Sequence, residues 1–258
     1  MPENDKTETD RDPPTGFFPE PETPQGKMFT ERPFVLLANG RHITTFKCTP
    51  EHLEELGVGH LAASGRIRSA QDIVDCRVED GRIAVRLRRD PPPGLVVAFD
   101  RRGLPERGTL PLYSGSRQRA LFSMRRLERA AEEMIADAVI YQRTGGVHCA
   151  AFGNDDLLIC REDVGRNNAM DKVIGAALLR NLDRSEAFLL VTARVAFEMF
   201  FKAAAADMPI LGSLNIPSDL AVSAAQSAGV TLIGKILKKE QHIYTHPRRI
   251  MEFRHAER

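Results

Sequence analysis

A chain of 258 residues with 42% hydrophobic and 28% charged side chains is long and apolar enough to bury a sizeable core. Its formal net charge of +1 creates no overall field to recruit nucleic acid or an anionic membrane surface, so neither is expected as a partner. No run approaches the roughly 18 consecutive apolar residues of a membrane span. The start MPENDKTETDRDPP lacks the basic and apolar stretches of a secretory signal, so a cytoplasmic location is expected.

Residues 1–31 form an acidic, proline-rich tail with too little apolar surface to offset its ordering entropy, and disorder is expected there. A small α+β unit is predicted over residues 32–100. In it, residues 34–48 (FVLLANGRHITTFKC) read as two β-rich runs around Asn39-Gly40, a strong hairpin signal. Thr49 is placed to cap a helix with Pro50 at its first position and apolar spacing from Glu51 to Leu61, ending at Gly65. Residues 72–89 read as a second hairpin turning at Asp80-Gly81, and residues 94–100 (GLVVAFD) as another short strand. A Gly/Pro/Arg-rich loop and linker covers residues 101–121. Its arginines Arg102, Arg107, Arg117 and Arg119 suit either an acidic partner or a solvated surface.

Residues 122–258 read as an α/β domain. Phe122 to Gln142 is predicted as one amphipathic helix. A hairpin then runs through Cys149 and Phe152, turns at Asn154-Asp155-Asp156 and returns through Leu157 to Cys160. Next, Arg161, Glu162, Asp163, Gly165, Arg166, Asn167 and Asn168 crowd together ahead of a helix carrying Ala169, Met170, Val173 and Ile174. A helix N-terminus offers unpaired N–H groups and partial positive charge, so this junction suits an anion. Gly165 permits close approach there and Arg166 adds a forked donor. Equally, Asp163 or Asn167 could simply cap the helix.

Farther on, a buried strand spans Phe188 to Thr192, a helix starts near Val195, and a short strand covers residues 208–213. Ser218 caps a helix that Gly229 stops, and residues 230–237 read as the last strand. Alternating strands and helices signal a largely parallel, helix-flanked sheet, whose ligands sit beyond the carboxyl ends of its strands. That places Arg161 to Asn168, Thr192 to Arg194 and Asn215 to Ser218 on one rim. Arg194 and Lys202 could reach a phosphate or pair with Glu198 on their own helix. The run Lys235 to Lys239 would be a solvated strand edge, and His246 a turn residue.

Neither a GxGxxG nor a GxxxxGK[ST] fingerprint occurs. His148 lacks neighbouring zinc ligands, and no intrinsic metal is expected. The cysteines Cys48, Cys76, Cys149 and Cys160 form no CxxC pair, and each lies in or beside an apolar segment, where cysteine acts as a small buried hydrophobe. A disulfide is not expected in a reducing compartment.

The segments TGGVHCAAF, REDVGRNNAMDKVIG, TARVAFEMFFKAA, NIPSDLAV and IYTHPRR resemble, in order, the motif series of the FdhD family of formate dehydrogenase accessory proteins, and NGRHITTFKCTPEHLEELGVGHLAASG resembles that family's N-terminal block. The resemblance covers roughly residues 32–250. It implies a cytidine-deaminase-like mixed α/β sheet flanked by helices, usually dimeric. It also implies a sulfur carrier that receives persulfide sulfur from a cysteine desulfurase and passes it to bis-molybdopterin guanine dinucleotide, the cofactor of formate dehydrogenase. By the same resemblance the cofactor contacts would include Arg161, Asp163, Gly165, Arg166, Asn168, Asp171, Lys172 and Arg194. The family's contacting segment on the last strand maps to Lys235, Ile236, Leu237, Lys238, Lys239 and Glu240. In the family a CGxCG loop before the long helix bears the persulfide; here it reads LYSGSRQRA, with Ser114 and Arg117 roughly where the cysteines belong. A hydroxyl cannot hold sulfane sulfur. The expected function is therefore that of an FdhD-like accessory protein that binds this cofactor and supports its sulfuration and insertion into formate dehydrogenase, with the persulfide relay put in doubt by the missing cysteines. The alternatives are a sulfurtransferase using Cys149, or a deaminase-like hydrolase on the same core, which the missing zinc ligands disfavour.

Overall fold

The computed structural model describes residues 28–106, 108–111 and 120–254. Most of the acidic tail, and Arg107, Ser114, Arg117 and Arg119, lie outside the described residues. Two β-hairpins open the fold: β1 (Arg32–Ala38) with β2 (Arg41–Cys48), then, after helix α1 (Leu53–Ala63), β3 (Ile73–Glu79) with β4 (Arg82–Leu87). Both turns are of the type predicted. Asn39 and Gly40 have φ of 49° and 77°, Asp80 and Gly81 of 48° and 72°, the positive pair whose twist matches the strands. The hairpins join through a parallel β1–β4 pairing into one sheet, order β2-β1-β4-β3.

Helices α2 (Met124–Asp137) and α3 (Val139–Thr144) lead to β5 (His148–Gly153), β6 (Leu158–Asp163), α4 (Arg166–Leu179), β7 (Phe188–Val191), α5 (Phe197–Ala205), β8 (Ile210–Ser213), α6 (Asp219–Ala228), β9 (Thr231–Gly234) and β10 (His242–Thr245). The strands form a second sheet, order β10-β9-β8-β7-β5-β6, parallel through β7, β8 and β9 and antiparallel elsewhere. Leu127, Ala130 and Met134 of α2 cover one face, packed with Ala151, Phe188 and Leu190. The other face, through Phe152, Leu189 and Leu211, packs on α4, α5 and α6. That same core runs on without a break into Leu56 and Leu61 of α1 and Leu36 and Ile83 of the first sheet. The mixed α/β class is as expected.

α1 and α4 touch backbone to backbone. A Cβ at Gly59 would overlap the Asp171 carbonyl, and one at Gly175 the Glu55 carbonyl. Glycine is needed at both places because no side chain fits between the helices.

Several expectations are corrected. Residues 94–100 form no strand: only an isolated bridge joins Phe99 to Pro105, and the backbone here bonds to loop and helix-end groups instead, the Leu95 N–H donating to the Ser64 carbonyl and the Ala98 N–H to the Thr109 hydroxyl. The helix predicted over 122–142 starts at the cap Ser123 and breaks at Ala138, because the Glu162 carboxylate accepts the Ile140 and Tyr141 N–H groups at 3.0 and 2.6 Å and begins a new helix there. Thr49 caps nothing in its own helix, which starts after His52. The last strand is β10, not residues 230–237: β9 stops at Gly234, and the run Lys235 to Lys239 is the turn that follows.

Candidate functional site

The strand registers bring one set of ends together. His148 at the start of β5 pairs with Asp163 at the end of β6, Ala150 with Val191, and Val191 with Ser213. The chain segments leaving these ends are tied side by side. The Asn215 amide donates to the Thr192 carbonyl at 2.8 Å, the Ser213 hydroxyl to the Ala193 carbonyl at 2.7 Å, and the Lys235 and Ile236 N–H groups to Asn215 and Ser213 carbonyls at 3.0 Å each. The rim expected from strand and helix alternation is therefore present, and it also gathers in the start of the Lys235–Glu240 segment.

α4 opens onto this rim. Its N-cap is Gly165, which supplies no side chain to the first turn. The backbone N–H groups of Arg166, Asn167 and Asn168 have no acceptor among the described residues. The turn before them is held by one buried carboxylate. Asp163 accepts from the Gly165 N–H at 2.8 Å and the Asn168 amide at 3.0 Å on one oxygen, and from the Thr49 N–H at 3.2 Å and Lys172 Nζ at 2.7 Å on the other. Asn168 also donates to the Lys47 carbonyl at 2.9 Å. The Thr49 hydroxyl accepts the Val164 N–H at 3.2 Å, and its carbonyl takes a second hydrogen bond from Lys172. Thr49 thus builds the mouth of α4, an assignment hidden from the sequence because its partners lie more than a hundred positions away.

Three groups belong to this mouth, Arg166 and Asn167 in the first turn of α4 and His148 in register with Asp163. Arg166 is half-buried. Beside it, burial and then the Arg166 charge hold the His148 imidazole below its ordinary pKa, with Asp163 opposing, so the ring favours its neutral form. The side-chain oxygen of Asn167 is buried without a hydrogen-bond partner among the described residues, an acceptor that a ligand N–H would satisfy. Arg194 is exposed beside Asn215, and Lys235, at φ 54°, is held 3.5 Å from Glu240. Open helix amides, cationic side chains and one unmet acceptor suit a phosphate attached to a hydrogen-bonding base.

Other expected contacts turn inward. Arg161 forms a bidentate pair with Glu55 of α1. Lys172 and Asp163 pair with both side chains fully buried. Asp171 is buried against Lys202 at 2.6 Å and His60 at 3.2 Å; burial would raise its pKa, but these two partners overcome that and hold it below the ordinary value. Lys202 therefore pairs with Asp171 and not with Glu198. Ile236 is fully buried and Leu237 packs on the same core, so in that turn only Lys235, Lys238, Lys239 and Glu240 are turned outward. The side chains of Arg161, Asp163, Asp171, Lys172, Ile236 and Leu237 thus shape the site from behind. Helix-internal glycines were the one local sign of this close packing.

No cysteine is poised for nucleophilic work. Cys149 is 1% exposed with its sulfur 4.0 Å from Glu162, and burial followed by that carboxylate pushes its thiol up to about 12. Burial likewise drives Cys48, Cys76 and Cys160 up to about 12. These are all the cysteines of the chain. Among the described residues no group of three or more His, Cys, Asp and Glu is placed to hold a metal ion, and no helix is long and apolar enough to cross a membrane.

A family model described as the FdhD/NarQ family matches residues 29–251. The sulfur carrier protein FdhD of Xanthomonas euvesicatoria pv. vesicatoria is 33% identical over 244 residues, covering 88% of this chain and 87% of that protein. The Bacillus subtilis protein of the same name is 30% identical, covering 88% and 92%. Among solved structures, a protein from Desulfotalea psychrophila provisionally named a formate dehydrogenase accessory protein superposes with a TM-score of 0.69 at 27% identity, over 86% of this chain and 89% of that one.

Proposed function

This chain belongs to the FdhD/NarQ family, and we propose that it acts as an accessory protein of formate dehydrogenase whose own contribution is to hold the guanine-dinucleotide molybdenum cofactor, not to carry sulfur on a thiol. The observation that carries this reading is the mouth of α4: three open amides beside Arg166, with the unpartnered Asn167 oxygen and the Arg194 and Lys235 side chains along the same rim. A phosphate of the cargo would lie on the amides and Arg166, and an N–H of its base would reach Asn167. Asp163 and Thr49 act as positioning residues, since they hold the turn that presents those amides.

The thiols support the negative half. Transfer of sulfane sulfur needs a thiolate, and a thiol near pKa 12 is ionised at neutral pH to only about one part in 10⁵. Residues 112–119, where relatives of this family would be expected to place the persulfide, contain no cysteine. A cysteine desulfurase would then load the cofactor while this chain holds it.

The test pairs two measurements. GDP binding by calorimetry is expected in the wild-type chain, with a component that is lost in Arg166→Gln/Arg194→Gln. Incubation with a cysteine desulfurase and cysteine, followed by intact-mass analysis and peptide mapping, is expected to add no sulfur to any cysteine. Sulfur found on Cys149 would replace this reading with a relocated carrier, and GDP binding that is absent or unchanged in Arg166→Gln/Arg194→Gln would remove the cofactor-holding role.

A further inference from the structure

A second cationic cavity lies away from the rim, where the end of α1 meets β4 and the proline run after it. It encloses about 670 Å³ and is lined by Arg66, Arg68, Arg88 and Arg89. Two carboxylates also line it, but both are committed elsewhere. Asp72 accepts the backbone N–H groups of Arg68 and Ser69 at 2.9 and 3.0 Å. Asp90 pairs with Arg41 at 3.0 Å and accepts from Asn39 at 3.1 Å. Four arginines thus line one space with two carboxylates: Arg88 Nε is spent on the Gln71 carbonyl at 2.7 Å, and the Asp72 charge offsets that of Arg89, which leaves Arg66 as a guanidinium without a partner among the described residues.

Arg66 is the most informative of them. It is half-buried, and its guanidinium makes no hydrogen bond or ion pair among the described residues. Gly94 accounts for its position: a Cβ there would lie 2.5 Å from Arg66 Nη1. The absence of a side chain at 94 is what gives the guanidinium its seat. A charge held in a cleft by packing, with its donors unspent, is preorganised for an incoming acceptor. Ile67, Leu87 and Leu95 with Pro91, Pro92 and Pro93 supply an apolar wall.

We propose that this cavity is a polyphosphate-binding site that takes a small molecule carrying at least two linked phosphates. Its volume falls in the range of small-molecule sites. Linked phosphates offer enough acceptor oxygens and charge for several guanidinium donors at once, which a single carboxylate does not. The apolar wall would accept the flat or apolar remainder of such a ligand. This assignment stands independently of the rim.

The test titrates the full chain with inorganic pyrophosphate and with ADP at low salt, where charge pairing is least screened. A binding component is expected that survives Arg166→Gln/Arg194→Gln and weakens about tenfold for each guanidinium removed in Arg66→Gln and Arg66→Gln/Arg89→Gln. Gly94→Ala should weaken it too, with an unchanged melting temperature, since the group displaced is the end of a flexible side chain. Equal binding of the two probes supports a site for the polyphosphate alone, and tighter ADP binding supports use of the wall as well. Pyrophosphate binding that is absent, unaffected by the Arg66 variants, or lost only in the Arg166/Arg194 variant overturns the proposal. So does binding of a glutamate-rich peptide by a chain that ignores pyrophosphate, which would make the cleft a protein-docking surface.

Discussion

Replacing Lys172 by Met should strand the Asp163 carboxylate in the core. In the native protein both side chains are fully buried and 2.7 Å apart. Lys172 also donates to the Thr49 and Glu162 carbonyls at 3.0 and 3.1 Å. After the substitution Asp163 keeps three N–H donors, from Thr49, Gly165 and Asn168, but its charge has no counter-ion. Breaking one side of a buried pair costs about 3–5 kcal/mol, and in a chain of this length that lowers the melting temperature by roughly 6–20 °C. Asp163→Asn leaves the complementary fault, an unpaired ammonium, at similar expense. The double variant removes both charges, so it should be no worse than either single one, with a coupling energy of about 3 kcal/mol in the cycle. Urea unfolding of the four proteins measures this, provided the m-values agree. A coupling below about 1 kcal/mol would show that the two charges are not the buried pair described. GDP affinity adds a second readout. It should fall more in Asp163→Asn than in Lys172→Met, because only the former alters the group that holds the turn before α4.

Gly59→Ala should cost about 3 kcal/mol or more, since its methyl meets the fixed Asp171 carbonyl and α1 must move off α4; a melting temperature within a degree or two of wild type would contradict the backbone contact. The four thiols should resist a neutral maleimide at pH 7.5 in the native protein and react together after denaturation, in line with values near 12; rapid labelling of Cys149 would restore it as a candidate carrier. His148, with its pKa lowered on folding from 6.5, stabilises the fold fully above that value and progressively less as pH falls below it. His148→Gln should therefore flatten part of the stability loss on acidification, and an unaltered pH profile would count against the half-buried imidazole. A phosphate bound nearby favours the protonated ring, so GDP affinity should rise as pH drops from 7 to 6, and His148→Gln should abolish that rise.

What the chain order determines on its own is whatever rests on neighbours. Asn39-Gly40 and Asp80-Gly81 turn their hairpins because those residues tolerate positive φ. Ser123 and Ser218 cap the helices they precede, and Gly229 ends one in the left-handed conformation. Alternating strands and helices already placed Arg166, Arg194 and Asn215 on a common rim. The missing thiol in residues 112–119 is equally a fact of sequence. The tertiary structure decided the rest. Thr49 reads as a cap and instead braces a junction 115 residues away. A helix that looks continuous is divided by Glu162, a residue downstream of it. Asp171 and Lys172, adjacent in sequence, point to different partners, one toward α5 and one toward β6. Local periodicity cannot announce such pairings, because a buried charge takes whichever partner the packing brings within reach. Here that packing was set by two helices able to touch through glycine.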